Sequence, residues 1–103
     1  MKPKASGVRL DLNNPVFQQQ LLAMDKANQL AVLTTLRKLS QMSWDQVYAD
    51  HGLRWEVIVS RQGPNSQRLY TLRMGKGFRA VAHRDGDWLR LLTLHPHHDS
   101  AYR

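Results

Sequence analysis

Two short glycine turns constrain this chain more than any other feature of its sequence. Gly75-Lys76-Gly77 and Asp85-Gly86 separate three strand-like runs, Arg68 to Met74, Phe78 to Arg84 and Trp88 to Leu94. Asp-Gly between such runs is a strong hairpin signal, because the turn it favours matches the right-handed twist of paired strands. Two hairpins in succession leave an antiparallel meander as the natural arrangement. Upstream, Leu53 to Ser60 is rich in Trp, Val and Ile and reads as another strand. Gly63-Pro64-Asn65-Ser66 is a loop by composition. Leu91 and Leu92, side by side, predict a last strand covered on at least one face. Val8 to Leu12 alternates and reads as a further edge strand.

The pattern changes character near Gly52. From Pro15 to Asp50 the signals are helical. Asn14 can cap and Pro15 suits a first helical turn, with Phe17, Leu21 and Met24 following at spacings of four and three. A second helix places Leu30, Leu33, Leu36 or Arg37, then Leu39 or Met42, on one face, with Asp25 as its cap. Ser43-Trp44-Asp45-Gln46 has the form of a capping box, so a short third helix should run to about Asp50 and stop at Gly52. Trp44, Trp55 and Trp88 each open a predicted element and read as core or staple residues. Helices followed by about four strands predict an α+β domain with its helices on one face of an antiparallel sheet.

Length and charge bound the function. The chain has 103 residues, enough for one domain across 1–103 and too few for two cores. No apolar run approaches the ~20 residues of a membrane span. The basic start Met1-Lys2-Pro3-Lys4 lacks a following apolar segment, so no signal peptide is expected. Without cysteine there are no disulfides and no thiolate–zinc sites. These features predict a soluble, cytoplasmic protein with no membrane partner. Fifteen Lys and Arg against eight Asp and Glu give a net charge of +7, and that balance points to nucleic acid or another polyanion.

Chemistry concentrates in two places. The last nine residues, His95-Pro96-His97-His98-Asp99-Ser100-Ala101-Tyr102-Arg103, hold three imidazoles, a carboxylate, a phenol and a guanidinium. As metal ligands, His95 and His97 or His98 with Asp99 have suitable donors but no regular zinc-site spacing. As residues of a metal-free site they suit proton transfer near neutral pH. A polar terminal loop with incidental histidines is the bland alternative. The second place is the Gly-Lys-Gly turn, where Arg73 and Arg79 flank Lys76. Such an arrangement concentrates positive charge at one sheet end, although strand arginines also commonly solvate an open sheet face. Clustered carboxylates for a two-metal nuclease are absent from the sequence pattern, as are a Walker loop and a G-x-S-x-G elbow.

The run from Leu69 to Asp87 resembles the Y-x-L-R-x-G-x-Y-R-V-x-Y hairpin of the RelE/ParE toxin superfamily. It reads Leu69-Tyr70-Thr71-Leu72-Arg73-Met74-Gly75-Lys76-Gly77-Phe78-Arg79-Ala80-Val81-Ala82-His83-Arg84-Asp85-Gly86-Asp87. Leu94-His95 and the ending His97-His98-Asp99-Ser100-Ala101-Tyr102 look like that family's G-H-R-x-x-V-Y close. The specific part of the resemblance covers about residues 69–102. It implies helices packed on one face of a curved antiparallel sheet.

The resemblance further implies a toxin of a type II toxin–antitoxin system, with an antitoxin protein as partner. RelE-like members cleave mRNA on the ribosome without a metal or other cofactor; ParE-like members inhibit DNA gyrase. By position, Arg73 and Arg79 take the phosphate-stabilising places. His98 takes that of the final Arg or His, Tyr102 that of the terminal tyrosine, and His95 precedes the close. Lys76, His97 and Asp99 stand as substrate-binding positions. Cleavage through the ribose 2′-hydroxyl needs a base, an acid and cations around the phosphate, and these side chains supply all three kinds. Gyrase inhibition needs only a surface. The chain is therefore read as an endoribonuclease toxin, with gyrase inhibition, or a non-catalytic RNA- or antitoxin-binding role, as the alternatives.

Overall fold

The computed structural model describes residues 7–63 and 66–96. In chain order the elements are β1 (Arg9–Asp11), α1 (Pro15–Ala23), α2 (Lys26–Ser40), α3 (Trp44–Ala49), β2 (Glu56–Gln62), β3 (Arg68–Gly75), β4 (Phe78–Asp85) and β5 (Trp88–His95). The strands form one sheet in the order β1-β5-β4-β3-β2. From β2 to β5 it is the antiparallel meander that the turns predict. The short β1 adds to the outer edge of β5 in parallel, with Arg9 opposite Trp88. The edge strand was legible in the alternation, but its direction was not.

Side-chain caps start each helix where the sequence places them. Asn14 Oδ1 accepts from the backbone N–H groups of Val16 and Phe17 at 2.8 and 3.3 Å. Asp25 Oδ1 accepts from Asn28 N at 2.8 Å. The Ser43–Gln46 box closes in both directions, at 3.2 and 2.9 Å. Helix α3 ends where expected, but not by a glycine cap. The stop is at Asp50, in an extended conformation, with its carboxylate accepting from Leu53 N at 2.9 Å. Gly52 does not take the left-handed conformation of a glycine cap.

The buried stripe of α2 is the expected one in its second half, Leu36 and Leu39, but not in its first. Val32, Leu36 and Leu39 face the core, whereas Leu30 and Leu33 are 65% and 56% exposed. Both stripes satisfy a helical period, so spacing alone could not choose between them. Packing chose, because Val32, Leu36 and Leu39 form one cluster with Phe17 and the sheet residues Leu72, Ala80, Leu89, Leu91 and Leu94. Trp44 and Val47 of α3 complete that layer. The helices thus cover one face of the sheet. On the other face Ile58, Leu69 and Val81 form a smaller cluster with Leu92 against it. Leu91 and Leu92 therefore serve opposite faces.

The hairpin tips carry their glycines at positive φ, 67° at Gly77 and 60° at Gly86. Asp85 still pairs with Trp88, so the second tip is Gly86-Asp87, one residue later than the Asp-Gly pair suggested. The tryptophans divide. Trp44 is buried and its Nε1 donates to Asp87 O at 3.0 Å. Trp55 is half-buried and stacks on Tyr70 at 4.6 Å between ring centroids. Trp88 is not a core residue: it is exposed at the start of β5, with the Arg9 and Arg90 guanidiniums 5.3 and 5.6 Å from its ring. Among the described residues, no helix is long and apolar enough to cross a membrane.

Candidate anion-binding site

The β3–β4 hairpin sets the site. Arg73 and Arg79 lie directly opposite one another on these strands, and His95 lies opposite Arg79 on β5. Residues directly opposite share a sheet face, so all three project from the same side. Val81, two residues from Arg79, belongs to the small cluster away from the helices. The site therefore lies on the uncovered face.

Burial separates the two arginines. Arg79 is only 3% exposed, and its Nη2 donates to Arg54 O at 2.6 Å, Thr71 Oγ1 at 2.7 Å and Glu56 Oε1 at 3.3 Å. It does not solvate an open face, as a strand arginine often does. Arg73 is exposed, its Nε donating to Gly75 O at 3.3 Å and its backbone N to Leu53 O at 2.6 Å. The latter bond ties the segment before β2 to β3. Arg54, at φ 51°, sits in that segment, and the turn it makes aims its carbonyl at Arg79.

A pocket of about 210 Å³ opens here, lined by Arg54, Arg73, Gly75, Gly77 and Arg79. Three guanidiniums beside glycine backbone make a small cationic concavity, and the planar fork of arginine suits phosphate oxygens. Glu56 is the carboxylate at this cluster, 3.9 Å from Arg54 Nε. His95 Nε2 is 2.8 Å from Thr93 Oγ1. That contact holds the imidazole on the strand next to the arginines. A larger hollow of about 460 Å³ lies elsewhere, lined by Lys38, Gln41, Met42, Gln46, Ala49 and Asp50. Its cation is already paired, with Lys38 Nζ 3.0 Å from Asp50, so it offers an anion little. Among the described residues, no group of three His, Asp or Glu is placed to hold a metal ion.

Of the sequence-predicted residues, Arg73 and Arg79 come together at this pocket, with His95 on the adjoining strand. Lys76 is exposed at the hairpin tip and does not line it. His97, His98, Asp99 and Tyr102 lie outside the described residues. From the sequence Arg54 reads as a solvated or generic phosphate contact and Glu56 as a lone carboxylate; the register of β2 on β3 brings both to the site with Thr71, which stands opposite Glu56. Two other arginines, which the sequence reads as solvated or generic phosphate contacts, have structural partners instead. Arg84 lies 4.1 Å from the Trp44 ring, and Arg90 pairs with Asp11 and Asp85.

No protein-family model and no curated protein sequence matches the chain. Its structure is similar to a chain of the archaeal RelE–RelB complex from Pyrococcus horikoshii, with a TM-score of 0.57 and 17% sequence identity. The match covers 90% of this chain and 96% of that one. Helices on one face of an open sheet, and a β3–β4 hairpin presenting Arg73 and Arg79 on the other, are thus set in a known arrangement: the chain has the RelE-like fold.

Proposed function

We propose that the protein is the toxin of a toxin–antitoxin pair and acts as a metal-independent endoribonuclease on ribosome-bound mRNA. The observation that carries this reading is the pocket of Arg54, Arg73 and Arg79 on the uncovered face of a RelE-like sheet. In the proposed reaction the ribose 2′-hydroxyl attacks the adjacent phosphorus and the 5′-oxygen leaves, giving a 2′,3′-cyclic phosphate. The guanidiniums hold the charge that builds on the phosphate oxygens; preorganised donors of this kind are commonly the largest catalytic term. An imidazole from His95, His97 or His98 moves the proton as base or acid. Tyr102 orients or stacks on the substrate, while Lys76, His97 and Asp99 contact it.

Two further features support an antitoxin partner. The structural neighbour is a RelE–RelB complex. In this chain Leu30 and Leu33, one turn apart on α2, are 65% and 56% exposed, and Leu22 of α1 is 78% exposed; grouped exposed apolar side chains mark interaction surfaces. The test is expression of the full chain with separate readout of translation and of DNA replication. Arrest of translation with cut message supports the nuclease; arrest of replication with intact message assigns the protein to gyrase inhibition instead.

A further inference from the structure

The arginine cluster carries an anion of its own. Glu56 Oε1 lies 3.3 Å from Arg79 Nη2 and 3.9 Å from Arg54 Nε. The two sides of this pair differ in access: the Arg79 side chain is 4% exposed and that of Glu56 50%. The carboxylate thus meets the guanidinium from the solvent side. Behind, Arg54 O and Thr71 Oγ1 hold the same Nη2, so the position of Arg79 does not hang on the carboxylate alone.

An incoming phosphate and this carboxylate compete for the same donors, and at such distances like charges repel. Glu56 is half exposed and its pairing is open to salt, so it can be displaced. A small free anion must displace it unaided. A phosphodiester within a longer RNA brings neighbouring contacts, which raise its effective concentration at the pocket.

We propose that Glu56 is a resident counter-anion of the arginine pocket, displaced when substrate phosphate enters, and that it selects a phosphodiester within a chain over free phosphate. It is a specificity-determining residue. The inference rests on the pocket binding phosphate, as in the proposed function, but not on cleavage.

The test is titration of the full chain with inorganic phosphate, followed by NMR of the arginine side-chain N–H signals, for wild type, Glu56→Gln, Glu56→Ala and Glu56→Asp. Both neutral variants should bind phosphate about 1.5- to 5-fold more tightly, the scale of a partly exposed charge pair. Glu56→Asp, which keeps the charge, should stay near wild type. The preference for a short RNA over free phosphate should shrink in the neutral variants. Unchanged or weaker phosphate binding in Glu56→Gln and Glu56→Ala, or loss of fold in both, would make Glu56 a structural partner of Arg79 and overturn the proposal. A gain in phosphate binding without any RNA cleavage by the wild type would leave the counter-anion standing and remove the nuclease.

Discussion

Arg73 and Arg79 face each other across the β3–β4 hairpin, yet one is exposed and the other almost wholly buried. The same side chain, on the same sheet face, is a solvent-side cation in one case and a structural cross-brace in the other. Arg79 joins the segment before β2 to β3 through Arg54 O and Thr71 Oγ1.

The two arginines should therefore separate in mutagenesis. Arg73→Ala should change stability by no more than about 0.5 kcal/mol, as for most exposed positions. Arg79→Ala should cost about 1.5–3 kcal/mol, since it strips charged hydrogen bonds from buried acceptors. Urea unfolding of both variants checks this. Equal stabilities would mean that Arg79 does not brace the segment before β2 against β3. Arg73→Ala is consequently the cleaner probe of function.

Truncation at Trp44 should be the more damaging loss. The indole is buried, donates to Asp87 O at 3.0 Å and lies under the Arg84 guanidinium at 4.1 Å. Trp44→Ala should destabilise the fold by about 3–5 kcal/mol, the range for large aromatic cores. Ser43→Ala, one residue before, removes only a cap and should cost about 1 kcal/mol. Thermal unfolding of the pair reads the contrast.

Acid should weaken the helix–strand junction. The Lys38 ammonium beside Asp50, together with the Leu53 N–H, holds the Asp50 carboxyl below its usual range. Asp11 is held low as well, by the Asn13 backbone N–H and by Arg90, against the upward push of burial. A carboxyl whose pKa is lowered by folding contributes stability that is fully present above its unfolded pKa, about 3.9. That stability is lost as pH falls through the lower folded value. Unfolding free energy should thus fall below about pH 4, and Asp50→Asn should flatten the fall. At neutral pH the same variant should cost no more than about 1 kcal/mol, because Lys38 and Asp50 are 48% and 23% exposed. An acid profile unaltered by Asp50→Asn would contradict this assignment.

Partner binding should depend on α2. Leu30→Glu and Leu33→Glu alter exposed positions, so each should leave the melting temperature nearly unchanged while weakening co-purification with the proposed antitoxin. Retained complex with both changes would move the partner surface away from α2.

Much of the fold was legible because its determinants are local. Asn14, Asp25 and Ser43 cap within three residues of their own positions, and Gly77 and Gly86 sit where left-handed backbone is needed. What was hidden depends on partners far along the chain. Leu33 and Val32 both fit a helical period, and nothing local records where Phe17 and Leu72 will lie. The parallel placement of β1 depends on β5, about eighty residues on. The site divides in the same way. Arg73 and Arg79 share one hairpin and were readable together. Arg54 and Glu56 enter through the pairing of β2 with β3, whose register shifts between Val57 and Gln62 and could not be counted from the sequence.

The nuclease reading meets its most direct test in one experiment. Ribosomes programmed with a defined message are incubated with wild-type protein or Arg73→Ala, in EDTA at magnesium sufficient to keep the ribosomes intact. The message is mapped by primer extension and its ends are assayed for a 2′,3′-cyclic phosphate. The account predicts cleavage with cyclic-phosphate ends by wild type and a loss of about 10²–10³ in rate for folded Arg73→Ala, the scale of one charge-stabilising donor. Intact message with folded wild-type protein, or undiminished cleavage by Arg73→Ala, would contradict it.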